Sequence, residues 1–365
     1  ISIILINHCS VTLSEISNLR LQNQKLEATT FTKANDVVRW MGAMQAQDYA
    51  MSKWAIGKRM SDATDEIIER ALNDGLIIRT HLLRPTWHLV SAEDIYWMLE
   101  LTAPGVKSSM KSRNKQLELT AEVFNKSFGL LEQAFSEYNN LRREQIEGIL
   151  NIAGIKTDEN RLSHILMEAE LEGLICSGSK TGNKLTYCLL SERVPARKGF
   201  SKDEALAELA KRYFTSHGPA TLKDFTWWSG LSVGDATKAL SFIASDFISI
   251  LVASDRYWLK AGLSDIDVSC DSVHLLPSYD EFLISYKDRS AALELAHNRK
   301  AISNNGVFYP VIVLNGLVAG TWKRTMQKGT AKIETNLFIE ISNKSLMLIE
   351  KEIEAYCGFL NKKKC

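Results

Sequence analysis

One pattern occurs three times along this chain, and that repetition limits its fold more than any other feature. Residues 65–90 read DEIIERALNDGLIIRTHLLRPTWHLV, and residues 161–190 read RLSHILMEAELEGLICSGSKTGNKLTYCLL. Each begins with apolar residues at the i, i+3, i+4 spacing of a one-sided helix. Each passes through a near-identical DGLI or EGLI and ends in two aromatic or β-branched runs separated by a turn. Gly75 and Gly173 suit the left-handed residue that ends a helix. A weaker copy, SVGDATKALSFIASDFISILVASDRYWLK at residues 232–260, puts its turn at Ser254-Asp255 and carries Tyr257 and Trp258 in the closing strand. More helix precedes each copy: KANDVVRWMGAM, LRREQIEGILNIAGI and KDEALAELAKRYFTSHGPATLKDFTWWSG.

Helices followed by a β-hairpin make a winged helix, the helix-turn-helix variant whose hairpin is the wing. One such match says little. Three predict an α+β chain of tandem winged-helix modules over residues 14–127, 128–198 and 199–264, with boundaries at FNKSFG near residue 127 and at SERVPARKG, residues 191–199. Over residues 265–365 the texture becomes β-rich, in SVHLLPSYDEFLISYKDR, VFYPVIVLNGLVAGTWKRT and AKIETNLFIEI. Asn315-Gly316 is a strong hairpin signal there. This region is expected to form a small sheet packed on the third module, closed by a helix near residues 344–360.

The 365 residues are 45% hydrophobic and 24% charged, as in an ordinary globular protein. Forty-four basic and forty-three acidic side chains give a net charge of +1, so an anionic partner has to be met by local patches. Three stretches offer them: Lys107, Lys111, Arg113 and Lys115; Arg193, Arg197, Lys198 and Lys202; and Lys323, Arg324, Lys328 and Lys332, the first and last with no acid among them. Six cysteines without a C-x-x-C pair point to neither a zinc ligand set nor a disulfide framework, and a reduced cytoplasm is expected. The opening ISIILI falls short of a secretory core of about 7–15 residues or a membrane span of about 20. The first dozen residues read as a ragged start, and no membrane association is expected.

The chemistry concentrates in WMGAMQAQDYA, residues 40–50. A helix-like apolar run stops, and Gln45 and Gln47 sit one residue apart with Asp48 behind them. On a helix, i and i+2 diverge by about 200°. Two glutamines acting together need an extended backbone, where alternate residues share a face. The sequence allows this if the helix from Asn35 ends near Met44 and the next starts after Asp48. An amide offers one acceptor oxygen and two donor hydrogens. A pair can hold a water or a base edge at any pH, but cannot take a proton. Such a pair suits a reaction whose leaving group needs no protonation, with Asp48 a source of negative charge for a cationic transition state. Alone, Q-x-Q is a common tripeptide and reads as a polar loop.

The segments LRLQNQKL, DVVRWMGAMQAQDYAMSKWAIGKRM, IIRTHLLRPTWHLVSAEDIYWMLELTAPGV, LLPSYDEFLISYKDR and GLVAGTWKR, running from Leu19 past Arg324, together resemble the AlkZ-type winged-helix DNA glycosylases. The resemblance implies three winged helices in a C shape and a catalytic Q-x-Q at Gln45 and Gln47. In the family, these amides position the water that attacks C1′ of a nucleotide bearing an N7-alkylated purine; some members also take bulky adducts and interstrand crosslinks. N7 alkylation makes the purine cationic, so no general acid is required, unlike the carboxylate pair of sugar hydrolases. The implied partner is double-stranded DNA with alkylated bases, met by a bacterial, cytoplasmic monomer that is nucleoid-associated when bound. No cofactor and no metal are implied. Other members carry Asp at the second motif position, so Gln47 places this chain on the AlkZ side.

Arg84 and His88 match positions the family fills with Arg and His, on the first wing, where they would meet phosphate or shape the pocket; read without the resemblance, His88 is equally a satisfied, half-buried imidazole in a strand. Tyr279, Asp280, Tyr286 and Arg289 match another family segment and read as a structural polar cluster. Trp87 replaces a more usual aliphatic residue, and His81 has no assignment. Two non-catalytic readings stay open. One is a DNA-binding regulator, although no dimerisation helix is evident for a palindromic site. The other is a scaffold whose wings bind protein.

Overall fold

The repeat in the sequence is a repeat of topology in the computed structural model, which describes residues 11–196, 199–261 and 271–364. After α1 (Leu13–Asn23), the first copy runs α2 (Ala34–Met41), β1 (Ala43–Gln45), α3 (Tyr49–Gly57), α4 (Asp65–Asn73), β2 (Ile77–Leu82) and β3 (Arg84–Ser91). A long helix, α5 (Ile95–Gln116), leads to the second: α6 (Ala121–Glu137), β4 (Leu141–Arg142), α7 (Arg143–Ile152), α8 (Arg161–Leu171), β5 (Ile175–Ser177) and β6 (Thr186–Leu189). Past the short α9 (Leu190–Arg193) comes the third: α10 (Lys202–Ser216), β7 (Ala220–Thr221), α11 (Leu222–Ser229), α12 (Val233–Ile243), β8 (Phe247–Val252) and β9 (Asp255–Lys260). In every copy the short strand between the first two helices adds to the hairpin beside its second strand, giving the orders β1-β3-β2, β4-β6-β5 and β7-β9-β8.

Local chemistry explains the matching ends. Gly75 and Gly173 take φ of +73° and +70°. Their N–H groups donate to Leu72 and Glu170, and the following N–H groups donate five residues back, to Ala71 and Ala169. This doubly bonded closure satisfies the last carbonyls of α4 and α8. In the third copy the hairpin turns at Ala253–Ser254, one residue before the expected position, because Asp255 already pairs with Val252. In the first, α2 stops at Met41 rather than near Met44: Gly42 at φ +79° turns the chain into β1. FNKSFG makes no break, since α6 runs through it. Phe124, Phe128, Leu131 and Phe135 keep one apolar stripe that seats this helix in the second copy's core. The boundary expected near residue 127 therefore falls inside a helix.

The last region comprises β10 (Val273–Leu276), α13 (Glu281–Ile284), α14 (Asn298–Ala301), β11 (Val311–Leu314), β12 (Leu317–Gln327), β13 (Thr330–Leu337), α15 (Asn343–Phe359) and β14 (Lys363–Lys364). Its five strands lie in order β10-β11-β12-β13-β14. Asn315 and Gly316 both take positive φ, +49° and +80°, as a two-residue hairpin turn requires. The sheet packs on the first copy, not the third. Met44, Trp54 and Ile56 share a core with Val273, Leu275, Ile312 and Trp322 of the sheet and with Tyr356 of α15, and the Trp54 indole N–H donates to the Leu275 carbonyl at 2.8 Å. The third copy's main apolar face is taken by other elements. Its Leu206, Tyr213, Phe225 and Trp228 are already covered by α5 and the β2–β3 hairpin, through Trp97, Met98, Ile78, Leu82 and Val90.

Candidate active site

The three copies differ where the short strand meets the next helix. Arg142 is both the last residue of β4 and the N-cap of α7, and Thr221 is both the last residue of β7 and the N-cap of α11. The first copy instead ends its strand at Gln45 and caps α3 with Asp48, three residues later. Ala46, Gln47 and Asp48 are thus extra chain relative to the molecule's own repeat. Asp48 Oδ1 accepts from the Met51 N–H at 3.0 Å. Ala46 continues the strand: its N–H donates to the Trp87 carbonyl at 2.7 Å, and its carbonyl accepts from Arg79 Nε at 3.1 Å. The backbone between the glutamines is therefore paired and extended.

Gln45 is buried and faces His88 across the β1–β3 pair. Its side-chain oxygen accepts from Arg84 Nη2 at 3.1 Å and from the Thr86 hydroxyl at 3.4 Å. A guanidinium can only donate, so it selects the amide oxygen and leaves the Gln45 NH2 group as the free end. Behind the strand, the Gln45 N–H donates to Glu281 Oε1 at 2.5 Å. The same carboxylate receives the Trp228 indole N–H at 3.2 Å and the Ser285 hydroxyl, with His217 Nε2 at 3.7 Å. Burial opposes its charge, yet His217, Ser285 and the Gln45 amide outweigh burial and hold the Glu281 carboxyl at about 2. An ionised carboxylate thus sits directly behind Gln45 at neutral pH. Nothing in LLPSYDEFLISY marks Glu281 beforehand, as it is one acid beside another, 236 positions from Gln45.

Gln47 is its opposite: exposed, with a side chain that makes no hydrogen bond among the described residues. His88 is buried, its Nδ1 meeting the Thr86 carbonyl at 2.9 Å and its Nε2 lacking a partner. Burial first, then the Arg84 charge, push its pKa down to about 3, so it stays neutral and orders the strand beneath Gln45. Arg84 reaches the other way as well. Its Nη1 lies 3.5 Å from the Trp227 carbonyl and its guanidinium 5.6 Å from the Trp227 ring. Trp87 carries the Arg79 guanidinium at 3.9 Å and the His81 ring at 4.1 Å, while His81 pairs with the buried Glu170 of α8. Within the Tyr279–Arg289 segment, Asp280 takes Arg59 through both oxygens, at 2.7 and 2.8 Å. The Tyr286 hydroxyl donates to the His217 carbonyl at 2.8 Å. Arg289 Nε donates to the Leu283 carbonyl at 2.9 Å, and its guanidinium lies 5.0 Å from the Phe308 ring and 5.6 Å from the Trp227 ring.

The basic stretches are less bare in space than in sequence. On α5, Lys107 pairs with Glu172 and lies 3.9 Å from Glu168, whereas Lys111, Arg113 and Lys115 are exposed. On β12, Lys323 lies 3.4 Å from Glu334 of the neighbouring strand and Arg324 donates to the Tyr356 hydroxyl; Lys328 is exposed at the hairpin turn. Arg193 turns inward to the Leu72 carbonyl, and Lys202 pairs with Asp235 at 2.9 Å. Arg197 and Lys198 lie outside the described residues. Among the described residues, no group of three or more His, Cys, Asp or Glu side chains converges as a metal-ligand set, and no helix is long and apolar enough to cross a membrane.

Known proteins resemble this arrangement over nearly its whole length. The family described as DNA glycosylase AlkZ-like matches residues 38–359. An interstrand DNA cross-link repair glycosylase of Streptomyces sahachiroi is 24% identical over 325 residues, covering 83% of this chain and 85% of that protein. The solved structure of the Streptomyces sahachiroi DNA glycosylase AlkZ matches with a TM-score of 0.79 at 22% identity, covering 98% of this chain and 99% of that one. The mixed α+β fold is shared from end to end.

Proposed function

This chain belongs to the AlkZ-like DNA glycosylases, which hydrolyse N-glycosyl bonds, and from that premise we propose that it releases cationic N7-alkylated purines from duplex DNA using a water held by Gln45 and Gln47. The observation that carries the reading is the three-residue extension of the first strand–helix junction, with one amide pinned by Arg84 and the other exposed. The pinned Gln45 turns its NH2 group outward to hold the water oxygen. The carbonyl of Gln47 accepts a water hydrogen and aims the lone pair at C1′. The C1′–N9 bond breaks with its electron pair neutralising the purine cation, a C1′–O bond forms, and the water's proton passes to bulk solvent. Glu281, ionised behind Gln45, and Asp48 at the helix cap supply fixed negative charge for the positive charge developing on the sugar.

In this reading the three repeated units are winged helices set in a C around the duplex. Lys107, Lys111, Arg113, Lys115, Lys323, Arg324 and Lys328, with Arg197 and Lys198, meet its phosphates. The protein works as a cytoplasmic monomer. The relative named for cross-link repair supports including interstrand crosslinks among the substrates; bulky adducts are part of the same proposal. Attack by water predicts base release without strand cleavage and no borohydride-trapped adduct.

Free base is followed by mass spectrometry from duplexes carrying N7-methylguanine or a nitrogen-mustard adduct. Release is expected to fall at least about tenfold in Gln45→Ala and in Gln47→Ala. Release that survives both substitutions moves the chemistry elsewhere, with Asp48 next. Tight duplex binding without release from any lesion hands the chain to the regulator reading.

A further inference from the structure

Arg84 belongs to two places at once. Its Nη2 meets Gln45, and its other arm approaches Trp227, which opens onto a cavity of about 520 Å³ walled by Leu222, Thr226 and Val233 and rimmed by Arg84, Lys223 and Lys287. The ring of Trp227 has three cations around it: Lys287 Nζ at 4.7 Å and the guanidinium groups of Arg84 and Arg289, each at 5.6 Å. None of these three makes an ion pair among the described residues, and Arg84 Nε is buried without any partner. Lys223 differs, being paired with Asp255 at 3.2 Å.

Glu281 offsets part of the Arg84 charge, and Asp224 and Asp288 part of the Arg289 charge; an anion at the ring edge meets the positive charge that remains. An aromatic face with unpaired cations at its edge matches a nucleotide: the base stacks on the ring and the phosphate meets the charges. The cavity lies within the usual range of about 300–1,000 Å³ for such ligands. A cationic N7-alkylpurine fits poorly, since it would add a fourth positive charge. The occupant also has to be close to the attacked sugar. Arg84 alone spans the gap from Gln45 to Trp227, so the ring is within reach of a nucleotide next to the attacked one.

We propose that Trp227, with Arg84, Lys287 and Arg289, seats an unmodified nucleotide of the damaged strand, unstacked beside the lesion, and so holds the strand open while Gln45 and Gln47 face the attacked sugar. This rests on the glycosylase reading. Its test is therefore a binding measurement that needs no turnover.

Fluorescence anisotropy is measured on duplexes containing a tetrahydrofuran abasic analogue at one position. Trp227→Ala is expected to weaken binding roughly tenfold to a hundredfold, from lost stacking, and to shift binding of an intact duplex by less than about twofold. Trp227→Phe, which keeps a stacking face, is expected to stay within about threefold and so separates a lost seat from a misfolded chain. Removing the neighbouring base on the same strand is expected to abolish the Trp227→Ala effect. Removing the base opposite is expected to leave it intact, and the reverse pattern would assign the seat to the other strand and overturn the proposal. Lys287→Ala with Arg289→Ala is expected to lower the salt slope by about two. Equal weakening on every duplex, or none, overturns the seat. Base release measured alongside separates the two ideas. A Trp227-dependent pattern without release sinks only the catalytic reading, and release without the pattern sinks only this one.

Discussion

The strand-to-helix junctions of the first and third copies are made of the same parts and end in opposite conditions. At the third, Thr221 caps α11 by accepting from the Asp224 N–H, and Asp224 Oδ2 accepts in return from the Thr221 N–H and hydroxyl at 3.0 and 2.9 Å. Asp224 Oδ1 takes the N–H groups of Lys287 and Asp288 at 2.8 and 3.2 Å. That junction closes on itself through a box three residues long. At the first, the position that would return the bond is Met51, which has no side-chain acceptor, so Asp48 caps α3 alone. The extra residues are held by distant groups: Glu281 on the Gln45 N–H, Arg84 on its side chain, Arg79 on the Ala46 carbonyl. On the proposed mechanism, the difference turns a structural module into a site. Lengthening the junction leaves polar groups that local capping does not reach; outside groups hold the Gln45 N–H, the Gln45 side-chain oxygen and the Ala46 carbonyl, and the Gln47 side chain is left exposed.

The comparison can be tested at several scales, and the largest effect is on stability against pH. Burial lowers the pKa of His88, His217 and His274, with His88 reaching about 3. In the unfolded chain these rings take up protons near their ordinary value of about 6.5. Between that value and the folded one, the unfolded state binds more protons, so stability rises with pH and is lost as pH falls below about 6.5, by up to about 1.4 kcal/mol per pH unit for each histidine. Glu281 acts in the same direction lower down: its stabilisation is present above its ordinary 4.5 and disappears as pH falls toward about 2. Urea midpoints measured from pH 8 to pH 4 are expected to drop accordingly, and a flat profile would mean that these groups are solvated.

Glu281→Gln comes next. The amide keeps an acceptor for the Gln45 N–H and loses the charge, so base release is expected to fall about tenfold with KM unchanged. A loss confined to KM would make the carboxylate a DNA-binding aid instead. The caps offer a paired test at about 1 kcal/mol each. Asp48→Ala and Thr221→Ala should lower stability alike by chemical denaturation, but only Asp48→Ala should also slow base release. Equal activity in both would erase the distinction between the junctions. The smallest effect is expected from Thr86→Val, about twofold to threefold in base release, because its 3.4 Å contact to Gln45 is long and Arg84 still fixes the amide.

Much of the architecture was legible because it is written in short-range patterns. The DGLI and EGLI closures and the Asn-Gly turn each depend on neighbours a few residues away, and each appears where its residues sit. FNKSFG misled because Asn125 and Gly129 suggest a break, while the apolar stripe at Phe124, Phe128, Leu131 and Phe135 continues through them and decides for helix. The charge of Lys323 looked unopposed until the β12–β13 pairing set Glu334 3.4 Å from it, while Lys332 meets the same carboxylate at 3.5 Å two residues along its own strand. The resting place of the last sheet follows from which distant elements share a core, which no local pattern records.

At the site the same division holds. By itself the sequence determined that two amides lie one residue apart at the end of a helical run, that an extended backbone is needed for them to act together, and that the chain repeats one supersecondary unit three times. Only the tertiary structure decided that Gln45 is pinned and Gln47 free, that Arg84 fixes which end of the Gln45 amide is left over, and that an ionised Glu281 stands behind it. Those decisions join groups 39 and 236 residues apart. Contacts at such separations leave no period in a sequence, since they come from the packing of whole elements, whereas helices, turns and caps are set by atoms within a few residues of one another.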